Sequence, residues 1–475
     1  MKRFVLIAIA ICTACRTPTP QASAENPKQE TIGYPAEPSD PQRHRGSLRI
    51  LIKDVKIMTA AGPIYDRGYV LIENGDIKAV GEGTPEALPN IDLELGLPGQ
   101  VVTPGVIDTH SHMGVYPMPN VEAHEDGNEM SGPAKPEVWA EHSFWPQDPA
   151  LWRALAGGVT TVQVLPGSGN LFGGRSFVAK LRPGISAREM RFPGAAQGLK
   201  IACGENPKRV HGDKGGPQTR MGNIARFRHK FQEALEYKVK QDEFNEKIKK
   251  WEQKPKSTRG TAPEPPTRDL GLETLVKVLR GEILVHNHCY RADEMHIMLD
   301  MAKEFGFKIR SFHHAVEAYK LRKRLAQENV AVSTWIDWWG FKMESFDGIP
   351  HNAAMLEDAG AKAIIHSDSS TDIQHLLKEA AKGIQAGKEI GLNITENQAL
   401  RWVTANPAWA LGIDKLVGTI EVGKMADLVI WNGNPFGIRA LAQQVLVDGD
   451  VVYDRKNNVQ RNSDFELGLF SGVKL

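Results

Sequence analysis

Between residues 100 and 405, short apolar runs alternate with amphipathic stretches, and several of the runs end in histidine, aspartate or glutamate. The runs are VVTPGVIDTHSH, VTTVQVLPG, LKIACGE, EILVHNHC, FKIRSFHH, VAVSTWID and AKAIIHSD, and segments such as DEMHIMLDMAKEFG and HNAAMLEDAG separate them. Strand-length runs spaced by helical segments predict parallel strands with crossover helices. In a closed barrel all strand ends converge on one mouth, which gives so many ligand-forming side chains a common destination; an open Rossmann sheet offers none. The expected fold is therefore α/β, a (β/α)8 TIM barrel.

Both chain ends have a different texture. LRILIKDVKIMT (48–59) and GYVLIENGDIKAVGEG (68–83) alternate in strand fashion around the hairpin signal Asn74-Gly75, and MADLVIWNGNP (425–435) and VLVDGDVVYD (445–454) do so around Asp448-Gly449. The simplest arrangement is a small β-sandwich built from both ends, residues 47–102 with 406–460, enclosing a barrel over 103–405. One segment, 221–270, breaks the barrel rhythm: it is rich in Lys, Glu and Gln and ends in the proline-rich KPKSTRGTAPEPPTRD. It predicts a long, solvated surface helix with a loose connection.

At 475 residues the chain can bury a barrel and a smaller companion. Its 58 basic residues nearly cancel 57 acidic ones, so no overall field favours nucleic acid or an anionic membrane. Met1-Lys2-Arg3 followed by the apolar run Phe4 to Ile11 reads as an export signal rather than a membrane span. Cleavage after Ala22-Ser23-Ala24 makes residues 1–24 the signal, and Thr13-Ala14-Cys15 offers a lipid-anchor alternative. Residues 25–46, with no apolar period, are expected to form a disordered tether. The expected location is thus the periplasm or envelope of a bacterium. Of the four cysteines only Cys203 and Cys289 remain after cleavage, enough for at most one internal bridge.

The sharpest chemical signal is Thr103-Pro104-Gly105-Val106-Ile107-Asp108-Thr109-His110-Ser111-His112. Two histidines one residue apart on a strand project to the same face, so at a strand end both imidazoles reach one ion. The glycine-rich PGSGNLFGG (166–174) lacks the lysine of a phosphate loop and reads as a flexible loop after the second strand.

PGVIDTHSH resembles the first-strand metal motif of the amidohydrolase superfamily, and GTIEVGKMADLVIW (418–431) resembles the segment leading back into its β-sandwich. The likeness spans roughly residues 48–455 and points to the imidazolonepropionase-like and metal-dependent dipeptidase branches. It implies a His ligand on the fifth strand, another on the sixth and an Asp on the eighth. Carried onto this chain, these are His286, His314 and Asp368, joining His110 and His112. His288 and His366 then face substrate or buttress the ligands, and His313 falls on the opposite face, packed or solvated. A bridging anion for a second ion is either a carboxylated Lys200 or Glu205. At roughly 3.3 Å per residue, Lys200 lies about 16 Å deeper than Glu205 along an unbroken strand, which favours Glu205.

Such an ion lowers the pKa of bound water from about 15.7 toward 7, and Asp368 is the expected catalytic base. Imidazole and carboxylate ligands suit zinc, with manganese, iron or cobalt as alternatives and one or two ions per chain. Tyr290 and Arg291 beyond the fifth strand, with Lys208 and Arg209 after Glu205, ring the mouth and can clamp a small-molecule substrate through its carboxylate. The expected function is hydrolysis of a C–N bond in a linear or cyclic amide. A single-metal heterocycle deaminase and a catalytically silent scaffold are the alternatives, and a homo-oligomer is compatible with either.

Overall fold

The computed structural model describes residue 37 and residues 40–457, apart from 86, 87 and 339; the expected signal and most of the expected tether lie outside the described residues. An eight-stranded sheet wraps into a nearly closed barrel. Its strands, in chain order, are β1 (Val106–Ser111), β2 (Val159–Val164), β3 (Phe172–Lys180), β4 (Gly198–Ala202), β5 (Leu284–Cys289), β6 (Ile309–His314), β7 (Ala331–Thr334) and β8 (Lys362–Ile365). Short helices such as Pro149–Ala156, with Asp148 accepting from the Ala150 N–H and proline at the first position, fill the crossovers.

One strand departs from the expected parallel order. β3 runs antiparallel to both β2 and β4. The glycine-rich segment explains this: after Val164 the chain re-enters the sheet at Phe172, which leaves no room for a crossover helix, and only a hairpin closes so short a link. Part of PGSGNLFGG is thus strand rather than loop, with Gly174 at φ 115° approaching the Val138 backbone so closely that a Cβ would sit 2.6 Å from the Val138 oxygen.

The barrel closes between β8 and β1 without a regular ladder. The Asp368 N–H donates to the His110 carbonyl at 3.0 Å, and the Ser367 hydroxyl donates to the Asp108 carboxylate. Asp108 also accepts from the His110 N–H at 3.0 Å, so one buried carboxylate ties the first strand to the chain following the last.

A second eight-stranded sheet combines both chain ends, running from Asp450–Asp454 through Ala442–Val447, Leu428–Trp431 and Val101–Pro104 to Ile50–Met58, Ile64–Glu73 and Asp76–Glu82, with Leu93–Leu95 also paired to Ile50–Met58. Its hairpins carry the left-handed backbone that the turn signals require: Asn74 and Gly75 at φ 52° and 74°, Asp448 and Gly449 at φ 53° and 83°. Ile50, Ile52, Val70, Ile72, Leu428 and Ile430 form its core, each fully buried side chain contributing about 1.5–3 kcal/mol. Lys180 at the end of β3 joins the two sheets through buried ion pairs to Asp427 at 3.0 Å and Asp448 at 2.6 Å.

The charged segment forms the helix Arg220–Glu252, which buries Phe227, Phe231, Ala234, Tyr237 and Phe244 and leaves its charges outside. Within the segment read as a tether, Glu37 pairs with the buried Arg175 at 2.7 Å, and the Gly46 N–H donates to the Asp448 carbonyl. Among the described residues no helix is long and apolar enough to cross a membrane.

Candidate active site

At the C-terminal end of the barrel strands a cavity of about 380 Å³ has His110, His112, His288, His314 and Asp368 among its lining residues. His110 and His112 project from the same face of β1 with their Nε2 atoms 3.3 Å apart. His112 Nδ1 donates to the Leu165 carbonyl at 2.8 Å. A carbonyl can only accept, so Nε2 keeps its lone pair for the cavity.

Asp368 reaches the same point from beyond β8, its Oδ1 3.2 Å from His112 Nε2 and 3.6 Å from His110 Nε2. Burial pushes its carboxyl up, but the neighbouring His112, with His366 and Lys200 nearby, outweighs burial and holds it below its ordinary value. The ligand atoms of His110, His112 and Asp368 form one group lying within 4.8 Å of one another, and those of His110, His314 and His366 form a second. His366, expected at substrate, thus stands among ligand atoms.

The structure revises several expectations. His286 is not at the cavity: it lies a level below, its Nδ1 3.1 Å from His313 Nε2. His288, two residues further up the same face, lines the cavity, and its ring centroid stands 4.5 Å from that of His314. Nor does His313 face away. It is buried inside the barrel with Nδ1 2.9 Å from His110 Nδ1. Strict alternation fails here because the backbone leaves extended geometry at His314 (φ 69°) and Ala315 (φ 39°), letting consecutive histidines share the interior. Asp368 is likewise left-handed at φ 50°, so two site residues hold strained backbone.

Lys200 does reach the site. Its Nζ lies 3.5 Å from His110 Nε2 and 3.1 Å from the Pro166 carbonyl. The depth argument against it assumed a continuous strand to Glu205, but β4 ends at Ala202 and Gly204 (φ 85°) turns the chain into the helix Glu205–His211. Glu205 sits instead on the cavity wall, 3.5 Å from Lys342 Nζ, and belongs to neither group of ligand atoms.

Burial dominates the electrostatics. It lowers the Lys200 amine to about 8, pushes His286 and His366 to about 3, and holds His110, His288, His313 and His314 well below the usual imidazole value. The imidazoles are neutral, the form that ligates metals. Burial also raises the Asp108 carboxyl to about 7 despite its bonds from Ser367 and His110.

Around this floor, Tyr290 and Trp335 each stack on His314, with centroids 5.0 and 4.6 Å away. Lys342 lies 3.9 Å above the Tyr290 ring. Arg291, expected at the mouth, turns outward into an ion pair with Asp293 at 2.9 Å and is not a lining residue. Arg209 does line the cavity, beside Asn206 and Ser168, and has no ion-pair partner among the described residues. The sequence reading missed Asp108, although it lies within the first-strand motif, and Trp335, Phe341, Lys342 and Glu344, for which no local pattern existed. Glu344 accepts from the Glu205 N–H at 2.6 Å and from Arg220, which fixes the loop carrying Phe341 and Lys342 against the cavity. A disulfide between Cys203 and Cys289 ties the ends of β4 and β5 directly beside His288.

Residues 101–461 match the amidohydrolase family. The amidohydrolase tasK of Hapsidospora irregularis is 34% identical over 403 residues, covering 82% of this chain, while this chain spans only 40% of that relative's length. A solved amidohydrolase from Thermotoga maritima MSB8 is 34% identical, with 86% of this chain and 100% of that one covered and a TM-score of 0.75. A zinc-bound adenosine deaminase from Xanthomonas campestris shares the fold at 16% identity, with 90% of this chain and 97% of that one covered and a TM-score of 0.50.

Proposed function

Because the chain belongs to the amidohydrolase family, we propose that it hydrolyses the C–N bond of small linear or cyclic amides, dipeptide-like or lactam in character, with a divalent ion, zinc by preference. The observation that carries this reading is the convergence of the His110, His112 and Asp368 ligand atoms within 4.8 Å at the cavity floor.

The donor set fits such an ion. Buried nitrogens that would otherwise be costly, His288 Nδ1, His314 Nδ1 and both nitrogens of His366, have no protein hydrogen-bond partner among the described residues. Neutral imidazoles with one carboxylate form a borderline-soft N/O set that suits zinc and also accepts manganese, iron or cobalt. His110, His112, His314, His366 and Asp368 would hold the ion or ions, with His288 beside them and a carboxylated Lys200 available as the bridge. When bound, the metal supplies Lewis acidity toward the scissile carbonyl and makes water nucleophilic near neutral pH.

The remaining roles fall to the chain. Asp368, whose carboxyl is held below its ordinary value, takes the proton of the attacking water and delivers it to the leaving nitrogen. Tyr290 and Trp335 fix the plane of His314. Arg209, on the wall with no ion-pair partner among the described residues, meets an anionic group of the substrate, and Asn206 and Ser168 offer hydrogen bonds nearby. A cavity of about 380 Å³ takes a small molecule rather than a folded protein. The Cys203–Cys289 bridge supports export to an oxidising compartment.

The test is elemental analysis of the purified chain, followed by a panel of N-acyl amino acids, dipeptides, lactams and amino-heterocycles assayed with and without metal. Metal-dependent release of a new carboxylate from an amide is the expected result. Ammonia released from a heterocycle alone would move the assignment to deamination, and a chain that takes up no metal would end the hydrolase reading.

A further inference from the structure

Beneath the cavity three imidazoles form a continuous line. His110 Nδ1 lies 2.9 Å from His313 Nδ1, and His313 Nε2 lies 3.1 Å from His286 Nδ1. All three rings are buried. The far end, His286 Nε2, has no protein partner among the described residues.

Neutral imidazole carries one N–H and one lone pair, so each hydrogen bond in this line has one donor and fixes the tautomers of both rings. The His110 Nε2 atom faces Asp368, His112 and Lys200, and for it to ligate a metal its proton must sit on Nδ1. His313 Nδ1 must then accept, His313 Nε2 must donate, and His286 Nδ1 must accept in turn. With His110 Nε2 free to ligate, one assignment satisfies both bonds of the line and leaves the His286 Nε2 proton without a protein partner among the described residues. His112 solves the same problem with the Leu165 carbonyl, a partner that can only accept. The His110 partner is another imidazole, which can also run the bond in reverse.

We propose that His313 and His286 are positioning residues for His110, a two-member relay that holds its Nε2 lone pair toward the metal in place of the usual carbonyl or carboxylate partner. The proposal rests on His110 being a ligand, as the proposed function requires.

The experiment compares metal affinity by chelator competition, the visible spectrum of the cobalt-substituted protein, and the melting temperature of the metal-free chain. The variants are His313→Asn, His313→Gln, His313→Leu, His286→Leu and the His313→Leu/His286→Leu pair. Asparagine places an oxygen where Nδ1 of histidine lies, so His313→Asn can still accept from His110; glutamine reproduces the Nε2 position and cannot. Expected are a weakening of metal binding of about 10- to 100-fold in His313→Gln and His313→Leu with an altered cobalt spectrum, and near-complete retention in His313→Asn. His286→Leu should weaken binding less, and add nothing in the His313→Leu background.

Equal affinity in His313→Leu and wild type would overturn the relay. So would equal losses in His313→Asn and His313→Gln that track the metal-free melting temperature, since packing alone would then explain them. Should His313→Leu fail to fold, the asparagine–glutamine pair carries the test. A wild-type chain that binds no metal overturns this inference and the hydrolase reading together, whereas normal wild-type binding with indifferent variants overturns only the relay.

Discussion

Lys200 Nζ stands 3.5 Å from His110 Nε2 while its side chain is fully buried in the barrel. Burial lowers the amine to about 8 from the ordinary 10.5. Carbon dioxide reacts with the neutral amine, which is about half the population at pH 8 and only about one part in thirty at pH 6.5. Carbamate at Lys200 should therefore build up above pH 8 with bicarbonate present. A carbamate carbon signal from labelled bicarbonate, absent in Lys200→Gln, would establish it; the same signal surviving in that variant would refute it. The linkage has a definite sign. Between about 8 and 10.5 the folded, metal-free chain binds fewer protons than the unfolded one, so its stability should rise with pH through that window and level off at its lower value below about 8.

Asp368 touches His112 and His110 but contributes little packing at the partly open floor. Asp368→Asn removes the proton acceptor while preserving shape, so turnover should fall by about 10²-fold or more and the metal-free melting temperature should barely move. Steady-state kinetics on the best substrate of the panel, beside a thermal scan, separates the two effects. Near-normal kcat in this variant would remove Asp368 from the proton-transfer role.

Much of this site could be read from the chain because strand periodicity and motif position carry it. His110 and His112 share a face for the reason any i, i+2 pair does, and the runs ending in histidine do line one mouth. The reading failed where the backbone stopped being regular. His313 follows the regular interior face of its strand beside His288, while the left-handed backbone at His314 brings that residue in as well, and a turn at Gly204 ended the strand that was meant to carry Glu205 upward. The hairpin orientation of β3 followed from connection length, which was visible in the glycine-rich segment but was taken for loop. Loop residues such as Phe341 and Lys342 reach the cavity through tertiary contacts of Glu344, and no local pattern encodes those.

The disulfide closes 86 residues of chain between the ends of two neighbouring strands. Loop-closure entropy for a span of that length predicts that a Cys203→Ala/Cys289→Ala chain loses about 2–5 kcal/mol of stability. Urea denaturation of the metal-free proteins, compared at equal slope, measures this. Unchanged midpoints would mean that the ladder between β4 and β5, together with the Cys203 N–H bond to the His288 carbonyl at 3.0 Å, already fixes these ends.

Two arginines near the mouth make opposite predictions. Arg291 spends its guanidinium on Asp293 at 2.9 Å, in the open, and an exposed pair of this kind contributes little. Arg209 lines the cavity with no ion-pair partner among the described residues, so an anionic substrate group meets an uncompensated charge there. Binding energy supplied at a point remote from the scissile bond appears chiefly in KM when it is equal in ground and transition states. Arg209→Ala should thus raise KM by about tenfold or more for substrates carrying a carboxylate and leave their neutral amide counterparts unchanged, while Arg291→Ala stays within about twofold for both. The paired comparison of charged and neutral substrates is what assigns the effect. A loss in Arg209→Ala shared equally by neutral substrates would mean that the side chain shapes the cavity wall rather than reading charge.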